Sequence, residues 1–140
     1  MLERVLIFAI FAVAGLAAYP ALRRYHVHRA AASAQHDPLL SGLKPGVPAI
    51  VYFTTPGCMP CKTQQQPALE QLQAELGEGV QVIRVDAADN PDAARRWGVF
   101  AAPTTFILDG AGQPQTVNHG VAGVVKLKQQ LAGLAGQAVR

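Results

Sequence analysis

The sequence predicts an α/β protein: a mixed central sheet flanked by helices and preceded by an apolar N-terminal helix long enough to cross a membrane. Three observations lead there. Short apolar runs bounded by Gly and Pro clusters read as buried strands. Segments with apolar residues at helical spacing separate those runs and read as amphipathic helices. The stretch from Val5 to Leu22 carries no charge at all. A chain of 140 residues has room for one domain and an attachment.

Taken in order, Val5 to Leu22 reaches roughly 27 Å as a helix, near the lower limit for spanning a bilayer. Arg23, Arg24, His26, His28 and Arg29 follow as a basic flank. A cleaved signal peptide is the competing reading. The start Met1-Leu2-Glu3-Arg4 is weakly charged, Ala12 and Ala14 lie inside the apolar run, and Ala32-Ser33-Ala34 lies beyond the arginines. A retained single-pass anchor is therefore expected. Tyr25 to Gln35 is Ala-rich and continues helically, before the breaker clusters Asp37-Pro38 and Lys44-Pro45-Gly46-Val47-Pro48. The expected organisation is an anchor over 1–24, a basic juxtamembrane segment and linker over 25–44, and a domain over 45–140, with folding starting near Asp37.

Ala49 to Phe53 reads as a buried strand and Thr54-Thr55-Pro56-Gly57 as the turn after it. A helix is expected from Cys58 to Leu76 with Leu69, Leu72 and Leu76 on one face, kinked by Pro67 and stopped by Gly77 and Gly79. Val80 to Val85 is the second strand, and Pro91 to Trp97 a short helix closed by Gly98. Thr104 to Leu108 and Gln115 to His119 pair across the turn Asp109-Gly110-Ala111-Gly112. A last helix over Val124 to Leu134 turns Val124, Leu127, Leu131 and Leu134 inward. The order β–α–β–α–β–β–α requires a parallel crossover and then an antiparallel hairpin.

Charge excludes one class of function. The net charge of +3 comes wholly from the first 35 residues, where four basic side chains face one acidic one. From His36 onward eight basic residues balance eight acidic ones. No basic face with interleaved aromatics exists, so nucleic acid is not an expected partner. The positive cluster suits lipid headgroups or a topology signal, and its position after the apolar run predicts a cytoplasmic-facing domain.

The chemistry lies in Cys58-Met59-Pro60-Cys61, which holds the only two cysteines. At a helix start, positions i and i+3 fall on one side of the first turn, so the sulfurs can bond and the helix dipole favours a thiolate on the first. Cys58 is then the nucleophile, and Cys61 resolves the mixed disulfide. A purely structural bridge is disfavoured, because so short a loop constrains little unfolded-chain entropy. Zinc is disfavoured as well, since His26, His28, His36 and His119 are scattered; no metal or cofactor is expected.

Three segments together resemble the thioredoxin family: the strand leading into Cys58-Met59-Pro60-Cys61-Lys62, Val82-Ile83-Arg84-Val85-Asp86 leading to Asn90-Pro91, and Trp97-Gly98-Val99-Phe100-Ala101-Ala102-Pro103-Thr104. The likeness covers roughly residues 45 to 135 and implies a thioredoxin-like fold. It implies a cis Pro103 facing the cysteines, with Ala102 and Gly120 at the substrate edge and Pro60 stiffening the first helical turn. It also implies protein disulfides as substrates and an upstream thiol partner as electron donor or acceptor.

The departures are specific. Thioredoxins carry a buried aspartate where this chain has Tyr52, and their active-site tryptophans correspond to Thr54 and Gly57. Their helix proline comes five residues after the second cysteine, whereas Pro67 comes six after Cys61. The N-terminal strand and helix are shortened. A phenol is a weak proton acceptor at neutral pH, so water or His119 is the candidate replacement, with a solvated strand-end histidine the plainer reading of His119. Arg95, Arg96 and Trp97 read as a solvated helix face with the indole inward. The expectation is a membrane-anchored protein-disulfide reductase; the alternatives are a non-catalytic binding module and a copper metallochaperone.

Overall fold

The computed structural model describes residues 1–34 and 37–137; Gln35, His36 and the last three residues of the expected domain lie outside the described residues. Helix α1 runs over Leu2–Ala34. Its stretch Leu2–His28 is long and apolar enough to cross a membrane. A short 3-10 turn, Pro38–Leu40, leads to strand β1, Ala49–Thr54. Helix α2 follows, with a π-helical turn over Cys61–Gln65 and a regular part over Gln66–Leu76. Strand β2 (Gln81–Asp86), helix α3 (Pro91–Trp97), strands β3 (Thr104–Leu108) and β4 (Pro114–His119), and helix α4 (Val124–Gln137) complete the chain.

The four strands lie in the order β2-β1-β3-β4. β1 pairs parallel with β2 and antiparallel with β3, and β3 pairs antiparallel with β4. This is the expected mixed sheet with β1 in its interior, and every residue of β1 is buried. The period of two along a strand then divides the core. Ala49, Val51 and Phe53 point to one face, where they meet Trp97, Phe106 and Val117. Ile50 and Tyr52 point to the other, with Cys58, Cys61, Leu69, Leu72 and Leu127.

The first face is closed by α3, by Val27 of α1, and by Leu39, Leu40 and Leu43. Asp37 fastens that segment. Its carboxylate accepts hydrogen bonds from Leu39 N at 3.0 Å, Trp97 Nε1 at 2.9 Å, and Arg96 Nε and Nη2 at 3.0 and 3.2 Å. Burial alone would raise its pKa. The Arg96 hydrogen bonds, then the Leu39 N–H and the Trp97 indole, outweigh that and hold the carboxyl below its ordinary range. Residues from Asp37 to Leu43 are thus packed into the domain.

Two features of α2 depart from a regular helix over Cys58 to Leu76. The additional residue between Cys61 and Pro67 is taken up by the π turn, in which the Gln66 N–H donates to the Cys61 carbonyl. Pro67 then falls at the first positions of the regular α-helical part, where a missing N–H costs nothing. Leu76 is 36% exposed, whereas Leu69 and Leu72 are buried. The helix ends at Leu76, and Gly77, at φ 52°, turns the chain away from the core.

Candidate active site

The cysteine pair sits where β1 hands over to α2. Cys58 N–H donates to the Thr55 carbonyl at 3.2 Å, which closes the turn after the strand. The Cys58 carbonyl in turn accepts from Lys62 N–H at 3.4 Å, so Cys58 occupies the entry to the first helical turn. Cys58 and Cys61 form a disulfide. The Cys61 backbone N–H lies 3.2 Å from Cys58 Sγ and donates to it. Once the bond is reduced, that N–H and the helix entry both favour negative charge on Cys58. As residues, Cys58 is 8% exposed and Cys61 only 1%, so Cys58 is the more accessible of the pair.

Ala102–Pro103 is the cis peptide bond of the chain among the described residues. Pro103 is buried, and Ala102 packs against the cluster that contains both cysteines. Gly120 N–H donates to the Pro103 carbonyl at 2.9 Å, and Thr104 Oγ1 donates to the Ala101 carbonyl at 2.6 Å. Gly120 has φ 90°, a left-handed backbone that a side chain would strain. The structure therefore brings Cys58, Cys61, Ala102 and Tyr52 to one face of the sheet and ties Gly120 to Pro103. Met59 and Phe100, 63% and 83% exposed, are apolar side chains left in solvent in the same two segments.

His119 is placed elsewhere. Its neighbour Asn118 points to the cysteine face and hydrogen-bonds Thr105 and Gln130, so His119 points to the opposite face, as Val117 does. There its ring meets His26 of α1, with centroids 5.8 Å apart. His119 remains an exposed residue overall, and its partial burial, and then the neighbouring His26, lower its pKa below the ordinary histidine value. His119 is therefore separated from Cys61 by the sheet itself.

Gln65 was not singled out by sequence reasoning. It is fully buried, and its amide pairs with both backbone groups of Ala122: Nε2 donates to the carbonyl at 3.0 Å and Oε1 accepts from the N–H at 2.8 Å. A run of three glutamines, Gln64-Gln65-Gln66, reads as a solvated surface. The one signal that marks it is the additional residue before Pro67.

A buried sulfur pair at a strand-to-helix turn, the outer sulfur facing a backbone N–H, defines a protein of the thiol–disulfide exchange class. A family model described as Thioredoxin matches residues 31–132. The chain belongs to the thioredoxin family, and Cys58 and Cys61 form the disulfide of its Cys-x-x-Cys pair. It is 36% identical to thioredoxin of Bacillus subtilis over 56 residues, covering 40% of this chain and 53% of that one. The chain thus spans about half the length of that relative. A thioredoxin-like protein of Synechocystis is 33% identical over 60% of this chain and 78% of its own. Among solved structures, chloroplastic thioredoxin z superposes with a TM-score of 0.60 at 25% identity, covering 65% of this chain and 80% of that one. Thioredoxin-2 of the malaria parasite superposes with a TM-score of 0.61 at 20% identity, over 67% of this chain and 90% of its own, which supports the fold.

Proposed function

We propose that the protein is a thiol–disulfide oxidoreductase that reduces protein disulfides at a membrane surface. The observation that carries this reading is the asymmetry of the pair: Cys58 is the more exposed residue and its sulfur accepts the Cys61 N–H, while Cys61 is almost fully buried. In the reduced protein the Cys58 thiolate attacks one sulfur of the substrate disulfide. A mixed disulfide forms and the first substrate thiolate leaves. The Cys61 thiolate then attacks Cys58 Sγ, forming the Cys58–Cys61 disulfide and releasing the second substrate thiolate. Two electrons pass from protein to substrate, and an upstream dithiol must return them.

In this reading Pro103, Ala102 and Gly120 form the edge along which the substrate chain lies. Pro60 stiffens the first helical turn, and Tyr52 fills the floor below Cys61. His119, on the opposite face, takes no part in the exchange. Residues 1–24 serve as the membrane anchor and 25–44 as the juxtamembrane segment, whose stretch from Asp37 to Leu43 packs onto the domain of 45–140. The basic flank favours a cytoplasmic-facing domain; an active alkaline-phosphatase fusion at the C-terminus would reverse that orientation. The reductase reading is tested by insulin reduction with dithiothreitol as donor. Activity should vanish in Cys58→Ser and in Cys61→Ser, and activity retained in both variants rejects it.

A further inference from the structure

We propose that Gln65 is a positioning residue that holds the loop from Gly120 to Gly123 against the cysteine helix and so fixes the edge on which a protein disulfide docks. The inference rests on the reductase reading above. Gln65 is fully buried, and so is its partner Ala122. Its amide engages the N–H and the C=O of that one residue, as an adjacent strand residue would. Two residues earlier, Gly120 N–H donates to the Pro103 carbonyl at 2.9 Å. One residue later, the Gly123 carbonyl accepts from Leu127 N–H at 3.0 Å and starts α4. The loop is thus fastened to the Pro103 turn, to α2 and to α4, and among the described residues its side-chain hydrogen bonds to α2 all come from Gln65.

The origin of that side chain explains the irregular helix. An additional residue after Cys61 forces the wide turn over Cys61–Gln65 and shifts the phase of the regular helix beyond it. Gln65, the last residue of that turn, thereby faces the loop, while Lys62, Thr63 and Gln64 face solvent. The π turn and the clamp are one device, linking the turn that carries Cys61 to the loop that borders Pro103. Because Gln65 reaches neither sulfur by any hydrogen bond, its effect falls on docking of a large substrate, not on the exchange chemistry.

The test compares Gln65→Met with the wild type on two substrates. For insulin, KM should rise about tenfold, the factor that corresponds to about 1.4 kcal/mol, for the two buried hydrogen bonds lost, with kcat held within about twofold. The rate of reduction of the small disulfide DTNB and the equilibrium constant of the Cys58–Cys61 couple should stay within about twofold of wild type, because neither uses the loop. An unchanged insulin KM, or a parallel fall with both substrates, overturns the proposal. Gln65→Glu keeps the experiment decisive if the methionine variant does not fold. Its protonated carboxyl offers both an O–H and a C=O and restores both bonds; its ionised form has no donor for the Ala122 carbonyl. Its insulin KM should match wild type near about pH 5.5 and rise above it by about pH 8. A ratio to wild type that does not change with pH overturns the proposal. If the wild type itself fails to reduce insulin, the reductase reading fails by its own test. Amide exchange then decides the clamp: Ala122 must exchange at least about tenfold faster in Gln65→Met.

Discussion

Replacing Asp37 with Ala should destabilise the domain by about 3 kcal/mol, a figure set by the partners the carboxylate leaves behind. The Trp97 indole N–H, on a residue only 2% exposed, loses its acceptor; a hydrogen bond to a charged group contributes about 1.5–3 kcal/mol. The Leu39 N–H loses its cap at the start of the 3-10 turn, a further loss of about 1 kcal/mol. The Arg96 guanidinium is exposed, and its share is left out. Trp97 is the single tryptophan of the chain, so its fluorescence reports the lock directly. In urea, with a slope of roughly 1.5–2 kcal/mol per molar, the unfolding midpoint of the full chain in detergent should fall by about 1.5–2 M. The pH dependence supplies a second reading. The folded-state pKa of Asp37 lies below its unfolded value, so the charge contributes stability that is present above about pH 4 and is lost as pH falls through the folded value. The advantage of wild type over Asp37→Asn should therefore shrink on acidification from about pH 6 to about pH 3. A midpoint shift below about 0.5 M in Asp37→Ala, or an advantage over Asp37→Asn that does not change with pH, would refute the reasoning.

Cys61→Ser should trap a mixed disulfide at Cys58 with a substrate protein, visible as a higher band on a non-reducing gel, whereas Cys58→Ser should trap none. Gly110→Ala should cost about 1–3 kcal/mol in urea unfolding, because an added Cβ would lie 2.9 Å from the Gly46 backbone, where Gly46 N–H donates to the Gly110 carbonyl at 2.8 Å. His119 has its folded pKa lowered by burial and by His26. Its contribution is thus fully present above its unfolded value near about pH 6.5 and declines as pH falls below it. His119→Gln should flatten the part of the unfolding free energy that declines between about pH 7 and about pH 5, measured by urea titration at each pH.

The parts of the fold legible in the sequence are those that local chemistry decides. Ala49 to Phe53 is apolar throughout and became the buried strand; Asp109-Gly110-Ala111-Gly112 had to turn; Gly98 closes α3 in the left-handed region at φ 69°. The cis Pro103 was legible through a resemblance of several residues, not through any one of them. The contacts that stayed hidden depend on partners distant in sequence. Asp37 looked like a breaker beside Pro38, and its lock is formed by residues 59 and 60 positions later. Gln65 is 57 positions from Ala122. Leu76 satisfied the apolar spacing of α2, yet the helix ends there and leaves it half out. His119 had a suitable chemistry and a suitable place along its strand, but strand parity sends it to the other face.

That parity bears on how the exchange must move its protons. Among the described residues, the buried polar side chains are Asp37, Thr54, Gln65, Thr104, Thr105 and Asn118. Asp37 is the one acid in that set, and it is committed to Trp97 and Arg96 on the face away from the sulfurs. The cysteine face holds Tyr52, Gln65, Thr105 and Asn118; the Gln65 amide bonds to backbone, and the Asn118 amide bonds to Thr105 and to Gln130. The family's buried carboxylate has thus given way to a neutral floor. A buried carboxylate below Cys61 would resist a second negative charge as Cys61 ionises; a neutral floor removes that repulsion but offers no base to accept the proton. Cys61 must then lose its proton toward the Cys58 side, where the substrate thiolate departing from the first exchange is the nearest strong base. Resolution of the mixed disulfide should accordingly speed up as the thiol released in the first exchange becomes more basic. The thiol displaced in the resolving step keeps the usual leaving-group trend, and a resolution rate that does not change with the basicity of the first-released thiol would show that Cys61 is deprotonated independently of the substrate.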